Sequence, residues 1–234
     1  MEKNYTELPP FRPVAFARTD YEGKFGIPRQ SGLAPSALCS VEFVPPHDDV
    51  NALRGLEGFS RAWLIWVFSE NIGHSAGPTV RPPRMGGNAR LGVFATRSPF
   101  RPNPIGLSCV EIVSVAPEGK AVLIVSGADL ADGTPILDIK PYVPYADAFP
   151  DASPGFAGSA PRRTLEVRLP SHIGTCLNEK QIEALKESLS LDPRPAYHET
   201  DGRVYGMTYA GHTVKFSVEG DVLTVTGITS ERQA

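Results

Sequence analysis

The 234-residue chain holds only three cysteines, Cys39, Cys109 and Cys176. They are odd in number, widely spaced and without a CxxC pair. That excludes a disulfide framework and points to buried thiols in a reducing compartment, so a cytoplasmic protein is expected. The five histidines are scattered, with no HExxH and no Cys/His cluster, and no metal is expected. No apolar run approaches the ~20 residues that span a bilayer. The opening "MEKNYTELPPFRP" lacks a basic segment followed by an apolar one, so neither a signal peptide nor a membrane partner is expected. The loops GxGxxG, GxxxxGK[ST] and GxSxG are all absent, which counts against a doubly wound nucleotide-binding domain and a hydrolase elbow.

Proline, by contrast, is plentiful. Its 23 residues are about twice the usual ~5% share, so the chain is rich in turns and stiff loops. With 41% hydrophobic residues the chain has enough apolar material for one medium domain and an appendage. The net charge of −3 is unevenly spread. Between Glu70 and Glu111 there is no acidic residue, while Arg81, Arg84, Arg90, Arg97 and Arg101 all fall there. A set of solvated arginines is one reading. An anion-facing surface is the sharper one, because the guanidinium fork suits phosphate and carboxylate.

Periodicity places strands at 12–18, 37–44, 62–68, 89–96, 107–115 and 121–130, the third apolar enough to be buried on both faces. A short helix is predicted over 48–58, capped by Asp48 or Asp49 and ended at a glycine. "DGTPILDIKPYVPY" (132–145) adds a turn and a short strand. With no alternation of strands and long helices, residues 10–150 read as a mostly antiparallel sheet or barrel. "DASPGFAGSAPRR" (151–163) reads as a linker. Residues 164–234 read as a small α+β unit. Its helix lies over 178–191 with Ile182, Leu185 and Leu189 on one face, and three strands follow, turning at "GH" and "GD".

Polar, proline-pinned loops sit at the strand ends. "IPRQSGL", "GLEGFSRAWLIWVF", "VRPPRMGGNARLGVFATRSPFRPNPIGLS" and "DLADGTPILDIKPYVPYADA" closely resemble the TsaA-like family, also called TrmO, over roughly residues 10 to 150. "DPRPAY" (192–197) resembles the C-terminal domain of its bacterial members. The resemblance implies a mainly β fold with an N-terminal antiparallel barrel, a homodimer, and a tRNA methyltransferase using S-adenosylmethionine. Its target would be N6 of threonylcarbamoyl-adenosine at position 37, in the anticodon loop of threonine tRNA.

By the same similarity, Pro28, Arg29, Gln30, Ser69 and Glu70 form one wall of a cofactor pocket. Arg97, Leu107, Asp132, Gly133, Thr134 and Pro135 form the other. Asp132 has the chemistry to accept from hydroxyl or amino groups, and an arginine to pair with a carboxylate. For the acceptor base, Asn103 in "NPIG" loosely resembles the Asn-Pro segment that other amino-methyltransferases use to hold an exocyclic amine. Asp138 and Tyr142 in "DIKPY" offer a carboxylate and a stacking ring. Arg84, Arg90 and Arg101 are the candidate phosphate contacts. Each of these has a plainer reading: "DG" as a turn, Asn-Pro as turn chemistry, the arginines as surface residues. Two other functions stay open on the residues alone, a tRNA- or cofactor-binding module without catalysis and a small-molecule methyltransferase.

Overall fold

The computed structural model describes residues 10–74, 77–85, 89–158, 165–194 and 202–230. Six strands close into a barrel in the order β1-β2-β7-β6-β3-β8: β1 (Ala15–Thr19), β2 (Leu38–Phe43), β3 (Arg61–Val67), β6 (Ile105–Val115), β7 (Val122–Ser126) and β8 (Pro135–Pro141). Two short strands, β4 (Thr79–Val80) and β5 (Leu91–Gly92), pair with each other inside the long β3–β6 connection. Every neighbouring pair in the barrel is antiparallel. The β3–β8 register shifts at Ile65/Trp66 and the β6–β7 register at Ile112/Ser114; such bulges bend strands and help a sheet curl to closure.

Alternation decides what lies inside. Ala15, Ala17, Cys39, Val41, Leu64, Trp66, Val110, Leu123, Val125 and Ile136 are buried and form the barrel core. Strand β3 is not buried on both faces as its apolar run suggests. Its residues alternate, with Trp63, Ile65 and Val67 only half-buried on the outer side. Burial pushes the Cys39 thiol up to about 12, which keeps it protonated and inert. Near one end of the barrel, the Trp66 indole lies over Gly106, its cross-strand partner; a Cβ there would overlap the ring.

The barrel closes through β1 and β8, a pair with only two partnered positions, Ala15↔Ile136 and Phe16↔Pro135. The turn before β8 completes the seam. Ala17 N–H donates to Thr134 O at 2.9 Å, Gly133 N–H to Ala17 O at 2.8 Å and Asp132 N–H to Tyr21 O at 2.7 Å. Asp132 Oδ1 also accepts from Thr19 N–H at 3.1 Å. Gly133 sits at φ +73°, a conformation that L side chains rarely adopt.

A second sheet follows, ordered β10-β11-β12-β9: β9 (Glu166–Arg168), β10 (Val204–Tyr209), β11 (His212–Glu219) and β12 (Val222–Ser230). β9 runs parallel to β12 and has no counterpart among the expected strands, because three residues are too few to show a period. A four-residue helix α1 (Pro144–Asp147) precedes it, and α2 (Glu179–Ser190) covers it. A capping box between Asn178 and Gln181 starts α2, and Leu185 and Leu189 are fully buried beneath it.

The β1–β2 connection (20–37) leaves the barrel and packs on this second core. Tyr21, Ala34 and Ala37 are buried there. The Phe25 ring stacks on Tyr205 and Phe216, with centroids 6.3 and 6.1 Å away. Tyr21 Oη and Ser188 Oγ are 2.5 Å apart, and Ser36 N–H donates to Glu187 Oε2 at 2.8 Å.

Two other expectations need correction. The 48–58 segment forms two 3-10 turns, Val50–Leu53 capped by Asp49 and Leu56–Gly58, interrupted where Gly55 takes φ +92°. The 89–96 segment is strand only at Leu91–Gly92, then a 3-10 turn over Val93–Ala95. Its short partner β4 offers just two residues to pair with, so the apolar run has no longer edge to join. The packing of Trp66 on Gly106 carries a prediction. Gly106→Ala should cost about 1–3 kcal/mol by overpacking, seen as a fall of several degrees in Tm; an unchanged Tm would mean the ring does not lie there.

Candidate active site

Strand pairing sets which loops meet. Thr19 is opposite Cys39, Leu38 opposite Ser126, Val67 opposite Ile105 and Phe16 opposite Pro135. The β1–β2, β7–β8 and β3–β6 connections therefore share one end of the barrel, and these hold most of the residues singled out by the sequence.

The segment "TRSPFRPNP" (96–104) is built from short polar turns. Thr96 Oγ1 donates to Val93 O at 2.9 Å, and Ser98 N–H donates back to that hydroxyl at 3.3 Å. Phe100 N–H donates to Ser98 Oγ at 3.2 Å. Arg101 Nη1 donates to Thr96 O at 3.1 Å, so this half-buried arginine braces its own loop. Phe68 N–H to Pro104 O, 2.7 Å, ties the segment to the end of β3. Asn103 is exposed just before β6.

Exposed Arg97 reaches across to the β1–β2 connection, where its Nη1 donates to Gln30 Oε1 at 2.5 Å. Gln30 Nε2 donates to Arg29 O at 2.6 Å, and Arg29 Nη2 donates to Arg194 O at 3.3 Å. Pro28 is buried. On another side, Ser69 and Glu70 open an exposed 3-10 turn, and Glu70 Oε2 pairs with Lys24 Nζ at 2.9 Å. The same ammonium donates to Asn71 Oδ1 at 3.3 Å. Leu107 is half-exposed on the outer face of β6.

Asp132, Gly133, Thr134 and Pro135 lie at this end too, but as the barrel's clasp. One Asp132 oxygen is held by Thr19 N–H and the other lies 3.8 Å from Arg18 Nη1. The buried Thr134 hydroxyl donates to Ala131 O at 2.7 Å. A half-buried carboxylate at this end that the sequence pattern does not single out is Asp129. Its Oδ1 accepts from Ser108 Oγ at 2.5 Å, and Ser108 in turn accepts from Trp66 Nε1 at 2.9 Å. Burial raises the Asp129 carboxyl, opposed by the Ser108 hydrogen bond, by the Arg97 charge and by the Ser31 amide. One signal for Ser108 was available: Gly106, Ser108 and Val110 are the inward positions of β6, and a hydroxyl there breaks an apolar face.

The expected catalytic trio does not assemble within one chain. Tyr142 N–H donates to Arg61 O and its ring lies 5.9 Å from Trp63, at the far end of β3 from Asn103. Asp138 lies midway along β8, pairs with Lys140 at 2.8 Å and accepts from Ile139 N–H. It borders an open cleft of about 560 Å³ with Val14, Phe43, His47 and Phe59, away from Arg97. "DIKPY" lies on a strand running away from the loops, and its short spacing could not reveal that. Of the arginines, Arg90 is exposed, with Nη1 donating to Thr79 Oγ1 at 3.2 Å. The Arg84 side chain lies outside the described residues, as does the 195–197 part of "DPRPAY". No group of three metal-ligating side chains occurs among the described residues.

A closed antiparallel barrel with an arginine-bearing polar loop end is a barrel-type site, distinct from a doubly wound cofactor domain. Family models for the tRNA-methyltransferase O N-terminal domain and the TrmO C-terminal domain match residues 16–148 and 162–231. The chain belongs to the TrmO family. It is 44% identical over 220 residues to the tRNA (adenine(37)-N6)-methyltransferase of Escherichia coli, covering 89% of this chain and 91% of that one. It is 45% identical over 202 residues to a putative S-adenosylmethionine-dependent methyltransferase of Pseudomonas aeruginosa, covering 83% and 86%. A crystal structure of TrmO from P. aeruginosa superposes with TM-score 0.79 at 36% identity, over 97% of this chain and 100% of that one.

The geometry separates the candidates experimentally. Tyr142→Phe and Asp138→Asn should leave affinity for S-adenosylmethionine within about twofold, since each breaks at most a half-exposed interaction. A loss of tenfold or more, measured by calorimetry, would mean these residues reach a site other than that of their own chain.

Proposed function

We propose that the protein transfers a methyl group from S-adenosylmethionine to N6 of the threonylcarbamoylated adenosine at position 37 of threonine tRNA, as a cytoplasmic homodimer. The observation that supports the reading is the Arg97–Gln30 hydrogen bond, which joins the β1–β2 and β3–β6 connections at the arginine-bearing end of the barrel. Names of relatives in the family support both the cofactor and the adenine target. Ile105 and Val113, exposed along β6, are the apolar surface offered to a second copy.

The residues suit that cofactor, a zwitterion carrying a carboxylate, an amino group and an adenosine. S-adenosylmethionine, when bound, supplies a methyl group already activated by its sulfonium. What remains for the protein is alignment and exclusion of water. Arg97, its fork oriented by Gln30, pairs with a carboxylate. Ser69 and Glu70 accept from amino or hydroxyl groups, and Leu107 supplies apolar contact. Pro28 and Arg29 stiffen the wall that carries Gln30, and the 132–135 turn fixes the opposite wall. An adenine N6 is a weak nucleophile because its lone pair is delocalised into the ring. In the threonylcarbamoylated base N6 carries a single proton. The Asn103 side-chain oxygen would accept from that N–H and hold the lone pair toward the methyl group, the proton leaving to solvent as the new N–C bond replaces the sulfonium S–C bond. Exposed Phe100, with Arg84 and Arg90, serves the RNA, by stacking and by phosphate contact.

The deciding experiment is incubation with labelled S-adenosylmethionine and threonine tRNA, followed by nucleoside analysis. Label should appear in threonylcarbamoyl-adenosine, and transcribed, unmodified tRNA should be a poor substrate. Equal rates on both tRNAs would contradict the substrate assignment, and binding of both ligands without transfer would make the protein a binding module. Cofactor affinity should be unchanged by a chelator; loss of binding on chelation would require a metal.

A salt series tests the arginines. Arg90→Ala and Arg84→Ala should each flatten the dependence of log tRNA affinity on log salt by about 0.7–0.9, because each phosphate that is no longer neutralised keeps its condensed counterion. Arg97→Ala should instead weaken cofactor binding about tenfold or more and leave that slope nearly unchanged. A flattened slope with intact cofactor affinity would reverse the assignment.

A further inference from the structure

Phe94 is 79% exposed, yet it does not sit on a loose segment. It is the middle residue of the 3-10 turn Val93–Ala95, which directly follows β5. Val93 is buried, and its N–H donates to Pro78 O at 3.0 Å. Val93 O accepts twice from Thr96, from the N–H at 3.1 Å and from Oγ1 at 2.9 Å. The turn is therefore fixed on both sides, and its central ring is held out in solvent. Phe100 has the His74 ring edge-on, with centroids 6.1 Å apart, whereas no ring among the described residues covers Phe94.

A lone exposed phenylalanine is ordinary. The charge around this one is not. β4 and β5 pair beside the turn, with Thr79 opposite Gly92. Exposed Arg81 follows β4, and exposed Arg90 precedes β5. Neither pairs with a carboxylate among the described residues, unlike Arg18, Arg61, Arg168 and Arg194. Two other exposed rings, Tyr145 and Phe149, lie in the opposite setting. Residues 141–161 contain Asp147 and Asp151 but no lysine or arginine. Unneutralised arginines beside an open aromatic face suit a polyanion whose rings are free to stack, which is the chemistry of single-stranded RNA.

We infer that Phe94 is a base-stacking contact for an unpaired nucleotide of the RNA, with Arg81 and Arg90 on the adjoining β4–β5 pair holding phosphates. The inference rests on the reading of the arginine stretch as RNA-facing. It adds a contact that distinguishes single strands from duplex, because a paired base keeps both faces stacked in its helix and has none to offer the ring. Phe94 lies three residues before Arg97, so a base stacked there is anchored beside the segment that carries the proposed cofactor contact.

Fluorescence anisotropy on the full chain tests this, with threonylcarbamoylated threonine tRNA and a fully paired RNA as probes. Phe94→Ala should weaken binding of the tRNA about tenfold and of the paired RNA less than about twofold. Its salt slope should stay unchanged, because no phosphate contact is lost, whereas Arg81→Ala should flatten the slope by about 0.7. Phe94→Trp should keep the affinity, since its ring also stacks. Phe94→Leu should lose it despite its apolar bulk. In all three Phe94 variants Tm and affinity for S-adenosylmethionine should match the native protein. Equal losses on both probes, a Phe94→Leu variant as good as native, or a loss tracking a lowered Tm would each overturn the inference. So would a change in oligomeric state, which would assign the ring to a second copy. If the native protein binds neither RNA, the reading of the arginine stretch falls and the inference with it. If it binds the tRNA and Phe94→Ala binds equally well, the inference alone falls.

Discussion

Everything at the loop end of this molecule depends on how the barrel is closed. Six strands make a barrel only if the first and last pair, and here β1 and β8 share just two partnered positions. The 132–135 turn supplies the missing hydrogen bonds, reaching Ala17, Thr19 and Tyr21 on the far side of the seam. Gly133 allows the backbone to reverse tightly enough for this. The turn therefore ties the β7–β8 connection to β1 at the loop end, and a change there would open the seam.

The second constraint is that the β1–β2 connection belongs to two cores at once. Its ends are barrel strands, yet Tyr21, Phe25 and Ala34 are packed on the C-terminal sheet and α2. Burial raises the Tyr21 hydroxyl to about 12, so it stays protonated for its hydrogen bond with Ser188. Gln30, which accepts from Arg97, thus lies on a connection packed against elements more than 130 residues away in sequence. The C-terminal unit braces the β1–β2 connection.

Much of this architecture is legible from local pattern. The helix over 178–191 announces itself by an Asn cap and apolar residues at helical spacing, and β6 and β7 by alternation. The failures have local causes too. "LGVFAT" reads as strand, but no long edge is available to pair with it, so only Leu91 and Gly92 do. In "DLADGTP" the sequence favours Asp132, the carboxylate next to the glycine turn. The structure commits Asp132 to Thr19 and Arg18, and gives Asp129, three residues earlier, to Ser108. Spacing alone cannot distinguish two aspartates on one loop.

The sequence by itself determined the class of molecule: strands and stiff loops rather than a doubly wound domain, an arginine stretch without acids, and motifs shared with one family. Those properties depend on composition and short-range order, which every residue carries with it. Only the tertiary structure decided which side chains share a site. It brought Gln30 to Arg97, separated Asp138 and Tyr142 from Asn103, and placed Ser108 and Asp129 together beneath the loops. The physical reason is barrel closure: strand order and register choose which loop ends meet, and both are set by pairing between residues far apart in the chain.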